Sequence, residues 1–529
     1  MTVSSKKNTV NHWDKLEISS NDLQYLTNYL FETEEPLPII KLSAVLVNHR
    51  LEMLAEEEAA RLAQAGLTYL PKETYEVGNK LNFPELDYAS GVVLSIRDGD
   101  NPGLGAFKVI QVELEDGTTK EFASGLADHD LNEKNYKLQP GEEQSVESIM
   151  KTYGRTINAS LRNALEAQSD LVRIGNTWFP RSLLIDIGPG HLNITEAILD
   201  SMEGGPISIQ DLMNQLELEN SGENRELVEF SLNYALQEDP RFDEVGTTGQ
   251  FSWFLRRLEP AEVLETPLYL RSDGISAISD DLDDDTYQLL DSLDDELSFT
   301  AADINDAEPA ESVKLTLTYP HWRAGSLPVT PLTNQVLPSA LESHTIKVSF
   351  IDEQTQQPIS AWIVREHNYV TGLREWYEER NLIPGSILEI SRTDDPGVMK
   401  ISPERKRSNK EWIKTVLVGA DGGLVFALLR QPISAGFSER MAIAIPDVNG
   451  LDEIWKNRQT KAPALKTDVM RMMAELSKLN NQRHVHFIDL YAAMNVIRRT
   501  APMDLLNVLN SSDDFFHVGD HYYHITEKA

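Results

Sequence analysis

One ending recurs three times along this 529-residue chain. LRNALEAQSDLVRIGNTWFP from Leu161, LNYALQEDPRFDEVGTTGQFSWFL from Leu232 and LLNVLNSSDDFFHVGDHYYHI from Leu505 share it. Each sets leucines at helical spacing, then a polar turn, an apolar pair, Ile-Gly or Val-Gly, and an aromatic run. A period near 3.6 that gives way to alternation is a helix feeding a hairpin. Gly175, Gly246 and Gly519 fall where the hairpin reverses, and glycine tolerates the positive φ such turns need. The aromatics around the turn, Phe242 with Trp253 and Phe515 with Tyr522, are expected to close over the helix as core.

Two copies also share their beginnings. Residues 194–216 read as helix, Gly204-Gly205-Pro206, helix, and residues 467–497 have the same order. Helix, short extended piece, helix, helix and β-hairpin is the winged-helix arrangement. Pro36-Leu37-Pro38 before IIKLSAVLV reads as the start of a further copy with no wing beside it. From Tyr75 the chain alternates like strands, with Asp116-Gly117 as a hairpin turn. The expected fold class is α+β and multi-domain, with repeated winged-helix modules plus two β-barrel-like domains. The expected order is a disordered N-terminus (1–20), a helical region (21–66), a small β-barrel (67–140), a helical, wing-like segment (141–190), a winged helix (191–271), an acidic disordered linker (272–312), a β-barrel-like domain (313–455) and a winged helix (456–529).

Lysine and arginine number 48 against 84 acids, a formal charge of −36, which by itself opposes binding to phosphate. The charge is uneven. Residues 273–311 hold fourteen acids and no base, a composition too poor in apolar surface to order itself. Residues 400–414 carry six basic residues against two acidic, and 456–499 nine against three. There is no cysteine, which excludes disulfides, thiolate metal sites and cysteine nucleophiles and suits a cytoplasmic protein. No stretch approaches the roughly 18 apolar residues of a membrane span, and the first twenty have no apolar core of signal length.

Three resemblances follow from these residues. The Val-Gly-x-x-x-aromatic wing behind a Leu-rich helix resembles the HARE-type helix-turn-helix domain, a family that includes the N-terminal domain of the delta subunit of bacterial RNA polymerase. The delta subunit pairs its winged helix with an acidic tail, and here the stretch 273–311 follows the copy at 192–258. That resemblance implies association with polymerase or DNA and supplies no catalytic residue. Trp362, Gly372, Leu373, Trp376, Leu382 and Pro384-Gly385 resemble the plant-type DNA-binding pseudobarrel, with Ser386 where that family's Leu-x-x-Gly-Asp stretch has Asp. Residues 70–127 resemble the KOW-type barrels of transcription and translation factors.

A DNA-reading winged helix places its third helix in the major groove. The third helix of the middle copy, 223–239, has five acids and one arginine, and that of the last copy, 503–514, has no base. Phosphate repels both, so protein docking is their expected use. Candidate nucleic-acid contacts are Arg405, Lys406, Arg407 and Lys410 in a loop cluster, and Arg498 and Arg499 at a helix end. No P-loop and no GxSxG elbow is present. His484, His486, His517, His521 and His524 have spacings that suit zinc, but alternation puts them on an exposed wing, so no metal, cofactor or catalytic residue is expected. The sequence reads as a non-catalytic accessory of transcription or DNA transactions, with RNA polymerase or another protein of DNA metabolism as partner and no membrane. The alternatives are a direct DNA-binding regulator using residues 400–500 and a non-catalytic subunit of a nucleic-acid-processing enzyme.

Overall fold

The computed structural model describes residues 13–526 apart from 66, 87–88, 102, 104, 133–144, 219–223, 273–275, 280, 306, 341–342, 420–422 and 461. It is a mixed helix-and-sheet chain, as expected, and it divides between Leu184 and Ile185 into two compact units.

In the first unit, Ser19 and Asp22 form a capping box that starts helix α1 (Ser20–Thr33). A two-residue strand β1 (Leu37–Pro38) leads into α2 (Ile39–Ala65). The chain then builds a separate sheet from β2 (Leu67–Thr68), β3 (Lys80–Phe83), β4 (Ala89–Asp98), β5 (Lys108–Leu114) and β6 (Thr119–Ser124), paired in that order. The β5–β6 turn at Asp116-Gly117 has Gly117 at φ +77°. The sheet curls until Gly125 and Leu126 donate to the carbonyls of Glu73 and Pro71, around a core of Tyr69, Phe83, Val93, Ile110 and Val112. Helix α3 (Val146–Glu166) and the hairpin β7 (Leu171–Ile174) and β8 (Thr177–Pro180) return to the first helices, with β8 between β1 and β7. Leu26, Leu30, Leu42 and Leu46 pack with Ile157, Leu161, Leu165 and Trp178 in one core. The described residues of the regions read from sequence as 21–66 and 141–190 thus share one body up to Leu184, interrupted by a sheet, while Ile185 and Ile187 pack in the second unit. The expected disordered N-terminus is corrected at its end, because Trp13 and Leu16 are buried in that core; residues 1–12 lie outside the described residues.

The second unit opens with the same order of elements. Helix α4 (Pro189–Ser201), β9 (Ile207–Ser208), α5 (Ile209–Gln215), α6 (Arg225–Glu238) and the hairpin β10 (Phe242–Glu244) and β11 (Ser252–Leu255) form a sheet with β11 between β9 and β10. Trp253 is buried and donates Nε1 to Asn233 Oδ1 at 2.8 Å. Gly246 is required by space rather than by positive φ: a Cβ there would lie 1.9 Å from the Gln250 carbonyl oxygen. Gly175 and Gly519 do adopt positive φ.

Next comes a seven-stranded sheet. Its strands are β12 (Ser312–Thr316), β13 (Ser326–Pro328), β14 (Thr345–Asp352), β15 (Pro358–Val364), β16 (Tyr369–Thr371), β17 (Ile387–Arg392) and β18 (Val398–Pro403). They run in the order β12-β17-β18-β14-β15-β16-β13, antiparallel except for β14 beside β18. Short helices 319–324 and 374–379 follow β12 and β16. Phe350, Ile363, Val370, Trp376, Tyr377 and Ile390 fill the interior. Trp362 turns away from that core and meets Phe254 edge-on, with ring centroids 4.9 Å apart. Lys347 N donates to Val245 O at 3.0 Å and Thr248 N to Ser339 O at 2.7 Å, so the β10–β11 turn is bonded to the large sheet.

The hairpin β19 (Arg405–Val418) and β20 (Leu424–Ala435) extends from the sheet, with β21 (Ile443–Ala444) parallel to β19. The chain closes with helix α7 (Leu465–Leu476), β22 (Val485–His486), α8 (Phe487–Ile497), α9 (Pro502–Ser511), β23 (Phe515–Gly519) and β24 (Tyr522–Ile525), with β24 between β22 and β23. Phe515 is buried as expected. Tyr523, not Tyr522, is the second core aromatic here, and Tyr522 is half-buried.

The acidic stretch 272–312 is not a disordered linker where it is described. Asp283 caps a helix over Asp284–Asp291, and Leu290 and Leu293 join Val469, Met472 and Leu505 in the C-terminal core. A few leucines placed on one face anchor a segment whose average composition argues for disorder.

Candidate nucleic-acid interface

Strand β19 ends in WIKTVLV and β20 opens LVFALL, runs of β-branched, aromatic and aliphatic residues that favour strand. Their far halves are fixed by Val416, Leu424 and Phe426 in the C-terminal core. Ile413 and Ile433 pack with Ala442 and Ala444 on the other side. Lys414 is buried, donates to the Asp489 carboxylate and the Arg440 carbonyl, and is spent as an anchor.

At the near half the register shifts, with Arg405 opposite Ala435 but Asn409 opposite Ile433. Residues 406–408 bulge from the ladder opposite Ser434 alone, which turns the strand outward. Arg405, Lys406, Arg407 and Lys410 are therefore exposed as expected, on a bulged strand rather than in a loop. Lys406 Nζ lies 3.4 Å from Glu411 Oε1 and 4.0 Å from the Phe437 ring centre. Arg405, Arg407 and Lys410 have no side-chain partner among the described residues. Trp412 pairs across the ribbon with Arg430, whose Cζ is 5.9 Å from the indole ring centre. Trp412 is 65% exposed, and Leu428 beside it is exposed too. The register sets Lys410 and Arg430 on the same face as an open indole.

Arg498 and Arg499 do not join it. Arg498 donates to Pro463 O at 3.1 Å and Asp468 Oδ2 at 3.3 Å. The Arg499 side chain is 1% exposed, with Nη2 2.6 Å from Asp295 Oδ1 and 2.8 Å from Glu296 Oε1 and Nη1 2.9 Å from Asp295 Oδ2. Two carboxylates already occupy its fork, so no phosphate reaches it. This corrects the reading of Arg499 as a surface contact.

Beside that clamp lies a constellation invisible in sequence. Ser326 Oγ is 2.8 Å from His321 Nδ1, and His321 Nε2 is 3.1 Å from Glu296 Oε2. The order resembles a nucleophile, base and orienting carboxylate, but Ser326, His321 and Glu296 are all buried. Without a path to substrate the set ties the acidic segment to the large sheet. Among the histidines, His484 stacks on His524 at 5.7 Å and His517 lies 6.5 Å from His521. His486 Nδ1 instead accepts from Ile488 N and caps α8; burial, with Arg440 nearby, lowers its pKa to about 4. Among the described residues no group of three or more His, Asp or Glu gathers as a metal site.

The three third helices differ. In α6 residues 230–233 are all buried, so its middle turn has no free side. In α9 Asp504 accepts from Ser276 of the acidic segment. In α3, by contrast, Lys151, Thr152, Arg155, Thr156, Ala159 and Asn163 are exposed, and Lys151 and Arg155 have no side-chain partner among the described residues. Sequence reasoning missed this face because the hairpin behind it was not joined to the helices before the inserted sheet. It missed Trp412 and Arg430 because only the strand register brings them together. Comparison with protein-family models, curated proteins and solved structures finds no match.

Proposed function

We propose that the chain is a non-catalytic accessory of transcription or another DNA transaction, a scaffold of winged-helix modules and a pseudobarrel that touches nucleic acid through its basic ribbon. The observation that carries this reading is the bulged ribbon, where Arg405, Arg407 and Lys410 stand exposed and unpaired in a chain of net charge −36. Two features support the architecture. Helix, two-residue strand, helix, helix and hairpin recur three times with the last strand between the other two. Trp362, Gly372, Leu373, Trp376, Leu382 and Pro384-Gly385 lie in or beside the seven-stranded sheet, which supports the plant-type pseudobarrel, although Ser386 stands where that family has Asp. The middle and last modules have their third helices packed or acidic, so they serve as docking bodies, and RNA polymerase or another protein of DNA metabolism is the partner this reading implies. Nuclease-treated affinity capture of the full chain from its native cell, read by mass spectrometry, is expected to enrich polymerase or other DNA-transaction proteins. Enrichment of an unrelated metabolic complex alone contradicts the reading.

A further inference from the structure

We propose that the ribbon of β19 and β20 binds single-stranded nucleic acid, with Trp412 as the surface on which a base stacks; this rests on the ribbon being the nucleic-acid contact. On one face the register places Lys410 opposite Pro432, Trp412 opposite Arg430 and Lys414 opposite Leu428. The exposed members of that face are a lysine, an indole, an arginine and a leucine. Toward the large sheet Arg405, opposite Ala435, lies on the other face of the ribbon, and the bulge at 406–408 carries Lys406 and Arg407. Single-strand sites combine cations that follow the backbone with aromatic rings that accept any base. In a duplex the base faces are already stacked on each other and only the phosphates, sugars and groove edges remain available, so an open indole finds no face to stack on there. Such an indole costs free energy in water unless something covers it. Cations on both sides select a polyanion over an apolar protein surface, and the bases of a single strand supply flat faces to cover the ring.

The test uses the full chain and a fluorescently labelled mixed-sequence oligonucleotide of about 20 nucleotides, alone and annealed to its complement, at about 50 mM salt where phosphate contacts are strongest. The single strand is expected to bind at least about ten-fold more tightly than the duplex. Trp412→Ala is expected to lose about ten-fold on the single strand alone, in line with one stacked base, and Trp412→Phe to restore most of it. Because no phosphate contact is lost, Trp412→Ala leaves the salt slope unchanged. Equal binding of both forms with no effect of Trp412→Ala overturns this inference while leaving the ribbon as a nucleic-acid contact. Binding of neither form overturns the ribbon reading as well. A dimer that Trp412→Ala dissociates in sedimentation velocity, without oligonucleotide binding, assigns the surface to a second copy and also overturns it.

Discussion

Arg499 holds Asp295 and Glu296 inside the C-terminal core, where an ionised carboxylate persists only beside a countercharge. Burial alone would raise the Glu296 carboxyl, and the Arg499 charge, together with the facing His321 and the hydrogen bonds from both, outweighs it and holds it well below the usual range. Arg499→Met removes the charge while keeping most of the volume, and leaves two acids buried. It is expected to cost about 3–5 kcal/mol, seen as a lower transition temperature in calorimetry of the full chain; an unchanged transition contradicts the clamp. Glu259 behaves in the opposite way. Burial, then the facing Asp243 carboxyl, pushes it up to about 8, with Arg256 opposing. A carboxyl whose folded pKa is raised contributes stability that is full below its unfolded pKa, near 4.5, and is lost as pH rises toward 8. Glu259→Gln is therefore expected to match the parent in melting temperature at acid pH and to exceed it at pH 8. Identical pH profiles would place the shared proton elsewhere.

At the scale of elements, the sequence was legible where local chemistry acts alone. The hairpins at Gly175, Gly246 and Gly519, the Asp116-Gly117 turn and the Trp253 and Phe515 core positions follow from spacing and turn chemistry. Tyr523 rather than Tyr522 faces the core because the register sets Phe515 opposite Ile525 and His517 opposite Tyr523, which puts Tyr523 on the face of Phe515. The first module was read only in pieces, since about 80 residues of sheet and neighbouring chain separate α2 from α3 and periodicity carries no record of who packs on whom. The acidic stretch was misread because composition averages over the segment, whereas order came from Leu290, Leu293 and one arginine some 200 residues away. Hydrogen exchange is expected to show amides of 286–298 protected to the level of α8, because both belong to one core. Exchange at the rate of an open chain would restore the linker.

For the whole molecule, net charge hides how cations are used. Lys414, Arg458, Arg498 and Arg499 are committed to internal acids, so part of the basic surplus of 400–414 and 456–499 is structural. The ribbon and α3 are two places where exposed cations stand without a side-chain partner among the described residues. No described helix is long and apolar enough to cross a membrane, and the buried Ser326, His321 and Glu296 offer no open reactive centre. A docking scaffold with a basic ribbon accounts for these features together. The claim is tested most directly by the salt dependence of single-strand binding for the full chain and for its triple variant Arg405→Glu, Arg407→Glu, Lys410→Glu. Each phosphate contact adds roughly 0.7 to the slope of log K against log salt on a single strand. Binding at about 50 mM salt is expected, with a slope about two units shallower in the variant; equal affinity and equal slope for the two proteins, or no binding by either, rules out the ribbon as the contact.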